Sequence, residues 1–154
     1  MRSMVTDDEA TFRDHAAELT RYATAINGPS DADDVVADAF AAAFASPKWP
    51  TIEDRRAYLY QAVLNQVRSR HRSAHRRRRR ELAARDHAER SDVGVRPEVL
   101  AVMNSLTTRQ RAVLFCLYWL DLDADATAQR LDLSIRTVQR DAQTARRHMK
   151  ALLR

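Results

Sequence analysis

The residues that most restrict how this chain can fold lie near its C-terminus. There Ile135, Val138, Ala142, Ala145, Met149 and Leu152 recur at steps of three and four. That spacing places them on one face of a helix and predicts a single buried stripe. Ser134 suits the N-cap, because its hydroxyl can accept from orphan backbone N–H groups. A shorter helix centred on Ala128 runs to Leu131, and Asp132-Leu133-Ser134 forms a tight turn between the two. The outer face of the second helix carries Arg136, Thr137, Gln139, Arg140, Gln143 and Arg147. Arg and Gln side chains can hydrogen-bond base edges in a major groove. The pattern reads as a helix-turn-helix whose second helix meets DNA.

The rest of the chain follows the same helical grammar. It has two glycines and four prolines, and no stretch alternates at period two. An all-α fold is expected, built as two small helical modules joined by a flexible linker. Phe12, Ala16, Leu19, Tyr22, Ala23 and Ile26 mark a first helix from about Asp7 to Ile26, stopped by Asn27-Gly28-Pro29. Gly suits a left-handed C-cap, and Pro cannot continue the helix. Ser30 or Asp31 then caps a second helix through Phe44, with Val35, Val36, Ala39, Phe40 and Ala43 apolar. After a loop with two prolines, a long third helix starts near Glu53, with Ala57, Tyr60, Val63, Leu64 and Val67 as its inner stripe. Tyr58, Gln61, Asn65, Arg68 and Arg72 line its opposite face. Periodicity fails from about Arg80 to Arg96, where Ser91, Gly94 and Pro97 gather. The boundaries expected are therefore 1–80 for the first module, 81–96 for the linker and 97–154 for the second. The second module is predicted to hold helices near Pro97–Ser105, Thr108–Leu120, Ala124–Leu131 and Ile135–Leu153.

Charge is distributed unevenly. The net charge is +5, and 24 of the 26 basic residues are arginines. Ten of them fall between Arg55 and Arg80 with no acid among them, while Asp31, Asp33, Asp34 and Asp38 precede them. One acidic and two basic surfaces suit a chain that bridges an electropositive protein and a nucleic acid. The repetitive run Arg76–Arg80 serves nonspecific phosphate attraction or simply solvates a helix. Cys116 is the only cysteine, which excludes an intramolecular disulfide and suits a reducing compartment. Its apolar neighbours predict a buried structural thiol. The longest apolar run, Ala112 to Leu120, is too short to span a bilayer, and the acidic N-terminus lacks a signal-peptide layout. A soluble, cytoplasmic protein without membrane insertion is expected. His71 and His75 stand four apart, but no third ligand accompanies them and arginines surround them, so neither metal nor cofactor is expected. No Gly-rich phosphate loop or nucleophile–base constellation points to an enzyme.

Two stretches in the first module and two in the second carry a family resemblance. Residues 28–44, Gly-Pro-Ser-Asp-Ala-Asp-Asp-Val-Val-Ala-Asp-Ala-Phe-Ala-Ala-Ala-Phe, are similar to region 2.2 of extracytoplasmic-function sigma factors of bacterial RNA polymerase. Residues 54–65, Asp-Arg-Arg-Ala-Tyr-Leu-Tyr-Gln-Ala-Val-Leu-Asn, with the arginines behind them, resemble that family's promoter-melting helix. Leu106-Thr-Thr-Arg-Gln-Arg-Ala-Val-Leu114 and Leu133-Ser-Ile-Arg-Thr-Val-Gln-Arg140 resemble its region 4. The order and spacing cover nearly the whole chain. Departures are Ala37-Asp38 for the usual Gln-Glu pair, Phe44 for Trp, Ala126-Thr127-Ala128 for Glu-Ile-Ala, and Asp132 for the usual turn Gly.

The resemblance implies an initiation factor that brings core polymerase to promoters and does no bond chemistry itself. Asp33, Asp34, Asp38 and Phe40 would then dock on the clamp helices of the polymerase's largest subunit, Phe40 anchoring a hot spot. On composition alone, the same acids simply complement a helix start. Lys48, Trp49, Tyr58, Gln61, Asn65, Arg68 and Arg72 would serve the minus-ten element, with Arg70 also on phosphates. Trp49 is open between a base pocket and a core plug. Arg136, Thr137, Gln139, Arg140 and Gln143 would read the minus-thirty-five element, with Arg147 and Lys150 on phosphates. The helix bearing Val113, Leu114, Leu117 and Leu120 would complete the core and could receive the polymerase flap tip. An anti-sigma protein is a further expected partner. The rival function is a stand-alone helix-turn-helix regulator, which would be expected to dimerise on palindromic DNA. A second rival is an arginine-rich RNA- or nucleoid-binding protein, marked by sequence-independent, salt-sensitive binding.

Overall fold

The computed structural model describes residues 2–81 and 97–152, and every regular element among these residues is helical. The order is α1 (Arg2–Asn27), α2 (Ala32–Ala45), a 3-10 turn (Trp49–Thr51) and α3 (Arg55–Glu81), then α4 (Pro97–Ser105) and α5 (Thr108–Leu114). A π-helical turn (Phe115–Trp119), α6 (Ala124–Leu131) and α7 (Ile135–Leu152) complete it. The expected linker, beyond Glu81 at the end of α3, lies outside the described residues, as does Leu153.

Local chemistry sets the helix ends. Gly28 takes φ 92°, the left-handed stop expected after α1, and its N–H reaches the Thr24 carbonyl at 2.8 Å. Asp31, one of the two expected caps, stands at the N-cap of α2, and its side chain makes no capping bond. Asp54 starts α3 instead of Glu53, its carboxylate accepting from the Ala57 N–H at 2.9 Å. Thr107 and Gln110 form a reciprocal capping box at the start of α5.

α1, α2 and α3 pack into a three-helix unit around Leu19, Tyr22, Ile26, Val35, Phe40, Trp49, Leu59, Tyr60 and Val63, all buried. The predicted stripe of α3 is buried in full, and Leu59 joins it. In α1, Phe12 is exposed at its edge, although its ring lies 4.8 Å from that of Phe40. α5, α6 and α7 form the second unit on a slighter core of Ala112, Val113, Ala128, Leu131, Val138, Ala142 and Ala145.

Three features differ from the sequence reading. The helix expected over Thr108–Leu120 leaves α geometry at Phe115, and the Leu120 N–H reaches the Phe115 carbonyl at 3.1 Å. This wider turn keeps Phe115 and Cys116 inside while Tyr118 and Trp119 project, 61% and 66% exposed. The expected stripe of α7 is shorter than its pattern, because Ile135 and Leu152 at its ends are exposed. The two units also pack on each other, α1 and α3 against α5, and α3 against α6, sharing one continuous core.

Candidate nucleic-acid interface

The surface of α7 is built by the turn that precedes it. Asp123 caps α6 by accepting from the Ala126 N–H at 2.7 Å. Asp132 then adopts the left-handed conformation at φ 52°, which Asp tolerates better than most residues, and the Leu133 N–H closes on the Ala128 carbonyl at 2.9 Å. The Ser134 hydroxyl caps α7 as expected, 3.1 Å from the Thr137 N–H. With Val138, Ala142 and Ala145 facing inward, Arg136, Gln139, Arg140, Gln143 and Arg147 all stand exposed. None of these five bonds or pairs with another described residue. Thr137 is half-buried, and its hydroxyl is shared with Ser134 at 2.8 Å.

One residue in this basic helix escaped the sequence reading. Asp141 is 4% exposed and holds Arg109 of α5 through two bonds, at 2.5 and 3.2 Å. The bond to Asp141 raises the basicity of Arg109. A signal was present: Asp141 falls among Val138, Ala142 and Ala145 on the inner face, where an acid needs a cationic partner.

The sites expected on the first unit do not gather in one place. Tyr58, Gln61 and Asn65 do come together, lining a cavity of about 190 Å³ with Ala42, Ala43, Ala62 and Gln66. Gln66 was not singled out from the sequence, although it extends the same polar face of α3. Arg68 and Arg72 lie elsewhere, in a crevice shared with His71 and with Thr107, Thr108 and Arg109 of the second unit. His71 there faces Asn27 Oδ1 through Nε2 at 2.8 Å and Thr108 Oγ1 through Nδ1 at 3.2 Å. Lys48 is exposed beside the 3-10 turn.

Trp49 resolves toward packing, since only 2% of it is exposed. Phe44 and Tyr58 wall its ring, the Arg55 guanidinium lies 4.9 Å from the ring centroid, and its Nε1–H donates to Asp8 at 2.9 Å. It backs Tyr58 and does not open onto the cavity. Phe40 is likewise corrected: it is 2% exposed within the core between Phe12 and Phe44, so it offers no surface anchor. Asp33 and Asp34 do stand exposed in the first turn of α2. Asp38 is exposed too, but it pairs with Arg70 of α3 at 2.6 Å.

Beneath α3 a polar network fixes the helix on α1. Glu18 accepts from Arg56 Nε at 2.9 Å and from the Tyr60 hydroxyl at 2.5 Å. Burial alone would raise the Glu18 carboxyl, but the bonds from Arg56 and Tyr60 and the charges of Arg56 and Arg130 bring it below its usual range. Burial, reinforced by Glu18, raises the Tyr60 phenol strongly. Among the described residues no three His, Cys, Asp or Glu side chains gather as a metal site, and no helix is long and apolar enough to cross a membrane.

Comparison with known proteins finds two family models along the chain. The model for sigma-70 region 2 matches residues 11–78, and that for sigma-70 region 4 matches residues 96–149. The fold is similar to that of the sigma factor RpoE from Bartonella quintana, solved in complex with the anti-sigma factor NepR. The TM-score is 0.73, with 20% identity over 96% of each chain. It is also similar to CnrH, solved in complex with the cytosolic domain of CnrY. There the TM-score is 0.63, with 28% identity over 95% of this chain and 86% of that one. No curated protein matches the chain. Regions 2 and 4, matched in order over most of the sequence, show that the chain belongs to the sigma-70 family.

Proposed function

We propose that this sigma factor reads a promoter at two places with the surfaces just described, working in the cytoplasm and catalysing no reaction. Arg136, Gln139, Arg140 and Gln143 present donors and acceptors to base edges of the minus-thirty-five element in the major groove. Thr137 steadies the start of α7, while Arg147 and Lys150 hold phosphates. The observation that carries this reading is the outer face of α7, where five polar side chains stand exposed and unengaged by other described residues.

At the minus-ten element, opening the duplex costs unstacking, which is offset by capturing an extruded base and holding the separated strand. The cavity between α2 and α3 offers the Tyr58 ring for stacking and the amides of Gln61, Asn65 and Gln66 for a base edge. Lys48, Arg68 and Arg72 supply positive charge for the strand's phosphates. Asp33, Asp34 and Asp38 form the acidic surface for the polymerase clamp helices, without Phe40, and the apolar region around α5 receives the flap tip. An anti-sigma protein is the natural regulator, as RpoE of Bartonella quintana was crystallised with one.

The test is size-exclusion chromatography with bacterial core RNA polymerase at near-physiological salt. Co-elution as a stoichiometric complex is expected, followed by promoter-directed transcription. DNA binding without polymerase binding would overturn the mechanism in favour of a stand-alone regulator.

A further inference from the structure

α7 presents its polar face from a seat of small residues. Val138, Ala142 and Ala145 are its buried stripe, Met149 is half-buried, and Ile135 and Leu152 at the two ends are exposed. Methyl groups let helices approach closely, but they offer no long side chain that interlocks against rolling about the helix axis. That freedom matters for reading a sequence. A roll of about 20° on a helix of ~6 Å radius carries a side-chain tip through roughly 2 Å. A hydrogen bond to a base edge tolerates only about 0.5 Å. The stripe alone does not fix the rotation of α7 closely enough.

The pair between Asp141 and Arg109 has the geometry to do so. Asp141 is buried, and each of its carboxylate oxygens takes one bond: Oδ2 from Arg109 Nε at 2.5 Å, and Oδ1 from Nη2 at 3.2 Å. Two bonds across a planar fork fix a direction, whereas a single bond would let the partners swivel. At about 100° per residue, Asp141 stands ~160° from both Gln139 and Gln143, nearly opposite them on the helix. Arg109 follows directly on the first turn of α5, which the capping box of Thr107 and Gln110 locks. Another tie of α7, from Arg146 Nε to the Tyr118 hydroxyl at 2.8 Å, lies in solvent and resists less. Stability is a poor reason for the buried pair. Desolvating two charges offsets most of their attraction, and an apolar residue at 141 would simply continue the stripe.

We infer that Asp141, held by Arg109, is a positioning residue: it sets the rotation at which α7 presents Gln139, Arg140 and Gln143 to the major groove, and through it the bases that are read. The consequence for specificity rests on the reading of α7 given above, whereas the pinning of the helix does not. Asp141 itself faces inward and touches no DNA. Its effect passes through the side chains on the opposite face.

Two variants loosen the pin by different routes. Arg109→Lys keeps the charge but removes the fork, and Asp141→Asn keeps the shape but removes the charge. The full-length wild type, bound to core RNA polymerase, first selects its preferred minus-thirty-five element from a pool of random duplexes. Affinities are then measured on that element, on a scrambled one and on every single base-pair substitution. A merely structural role lowers the folded fraction and scales all affinities equally, so the ratios between duplexes stay where they are. Both variants are expected to lose about tenfold in preference for the selected element over the scrambled one, with the loss spread over all the base pairs read. Unchanged ratios would overturn the inference. A loss confined to one base pair in Arg109→Lys would make Arg109 a direct contact and overturn it as well. A second measurement needs no DNA. Spin labels on Gln129→Cys of α6 and Gln143→Cys of α7, in a Cys116→Ala background, report the distance between the two helices. Arg109→Lys is expected to broaden that distribution, and an unchanged width would overturn the pin. If the wild type selects no sequence, the reading role of α7 falls, while the label distances still decide whether the pair holds the helix.

Discussion

The two helical units bury their surfaces in different currencies of size. α1–α3 close on rings and large aliphatics, with Tyr22, Phe40, Trp49, Leu59 and Tyr60 buried together. α5–α7 close mainly on alanines and valines with Leu131, which let the helices approach closely but remove less apolar surface from water. The second unit therefore relies on polar ties, namely the Thr107–Gln110 capping box, the Arg109–Asp141 pair and the bond from Arg111 to the Met103 carbonyl at 2.8 Å. It also completes its burial against the first unit at Phe115 and Cys116. Volume stabilises one half and geometry the other.

This contrast is open to attack from the first unit. Trp49→Ala removes the largest ring at the joint of α2 and α3 and leaves Asp8 without its donor. A stability loss of about 3–5 kcal/mol is expected by chemical denaturation. A loss below about 1 kcal/mol would mean the site collapses freely and the ring is not structural. In the second unit the counterpart is Asp141→Ala, which strands Arg109. A fully buried pair broken this way costs roughly 3–5 kcal/mol, but a third of the Arg109 side chain is exposed. The expectation is roughly 2 kcal/mol, and replacing both partners together should recover part of it. A double variant no better than Asp141→Ala would show that the carboxylate, not the pair, is what matters.

The same contrast explains what could be read from the sequence. Helix positions, the Gly28 stop, the Ser134 cap and the α3 stripe followed from periodicity and capping chemistry, because these depend on near neighbours in the chain. The exposed face of α7 was legible for the same reason. Phe40 was misplaced because a helix with apolar residues on most sides gives no sign of which side is covered, and α2 is such a helix. Trp49 required knowing that Asp8, 41 residues away, receives its N–H. The π turn at Phe115 and the packing of the two units on each other are tertiary outcomes with no local motif. Asp141 is legible from its place on the buried stripe, which outweighs the basic character of its neighbours.

Smaller effects test the DNA-facing side of the comparison. Arg140→Ala is expected to weaken binding to a promoter by roughly 1–3 kcal/mol if the guanidinium reads a base bidentately, with little change on scrambled DNA. Equal losses on both would mark a phosphate contact. Ser134→Ala removes the acceptor for the Thr137 N–H. It is expected to cost about 1 kcal/mol of stability. Because the cap orients the whole helix, promoter affinity should fall with it. Unaltered affinity at reduced stability would separate the fold of α7 from its reading function.

The smallest expected effect concerns the seam, where the two halves meet. With the two units packed together, burial, and then the charge of Arg111, hold the His71 imidazole below its ordinary value of 6.5. Asn27 of α1 and Thr108 of α5 face its two nitrogens, and Arg68, Arg72 and Arg109 line the same crevice. Separating the units would let His71 bind a proton more readily, so their packing gains stability as pH rises through this window. It is fully present above about 6.5 and declines as pH falls toward the lowered value. Energy transfer between dyes on α2 and α7 should therefore decrease on moving from about pH 8 to about pH 5.5. The ring is largely exposed, which keeps the shift modest. His71→Gln retains a donor and an acceptor but does not titrate, and it should flatten the response. An unchanged pH profile in that variant would assign the titration to another group and leave His71 as a neutral bridge between the two units.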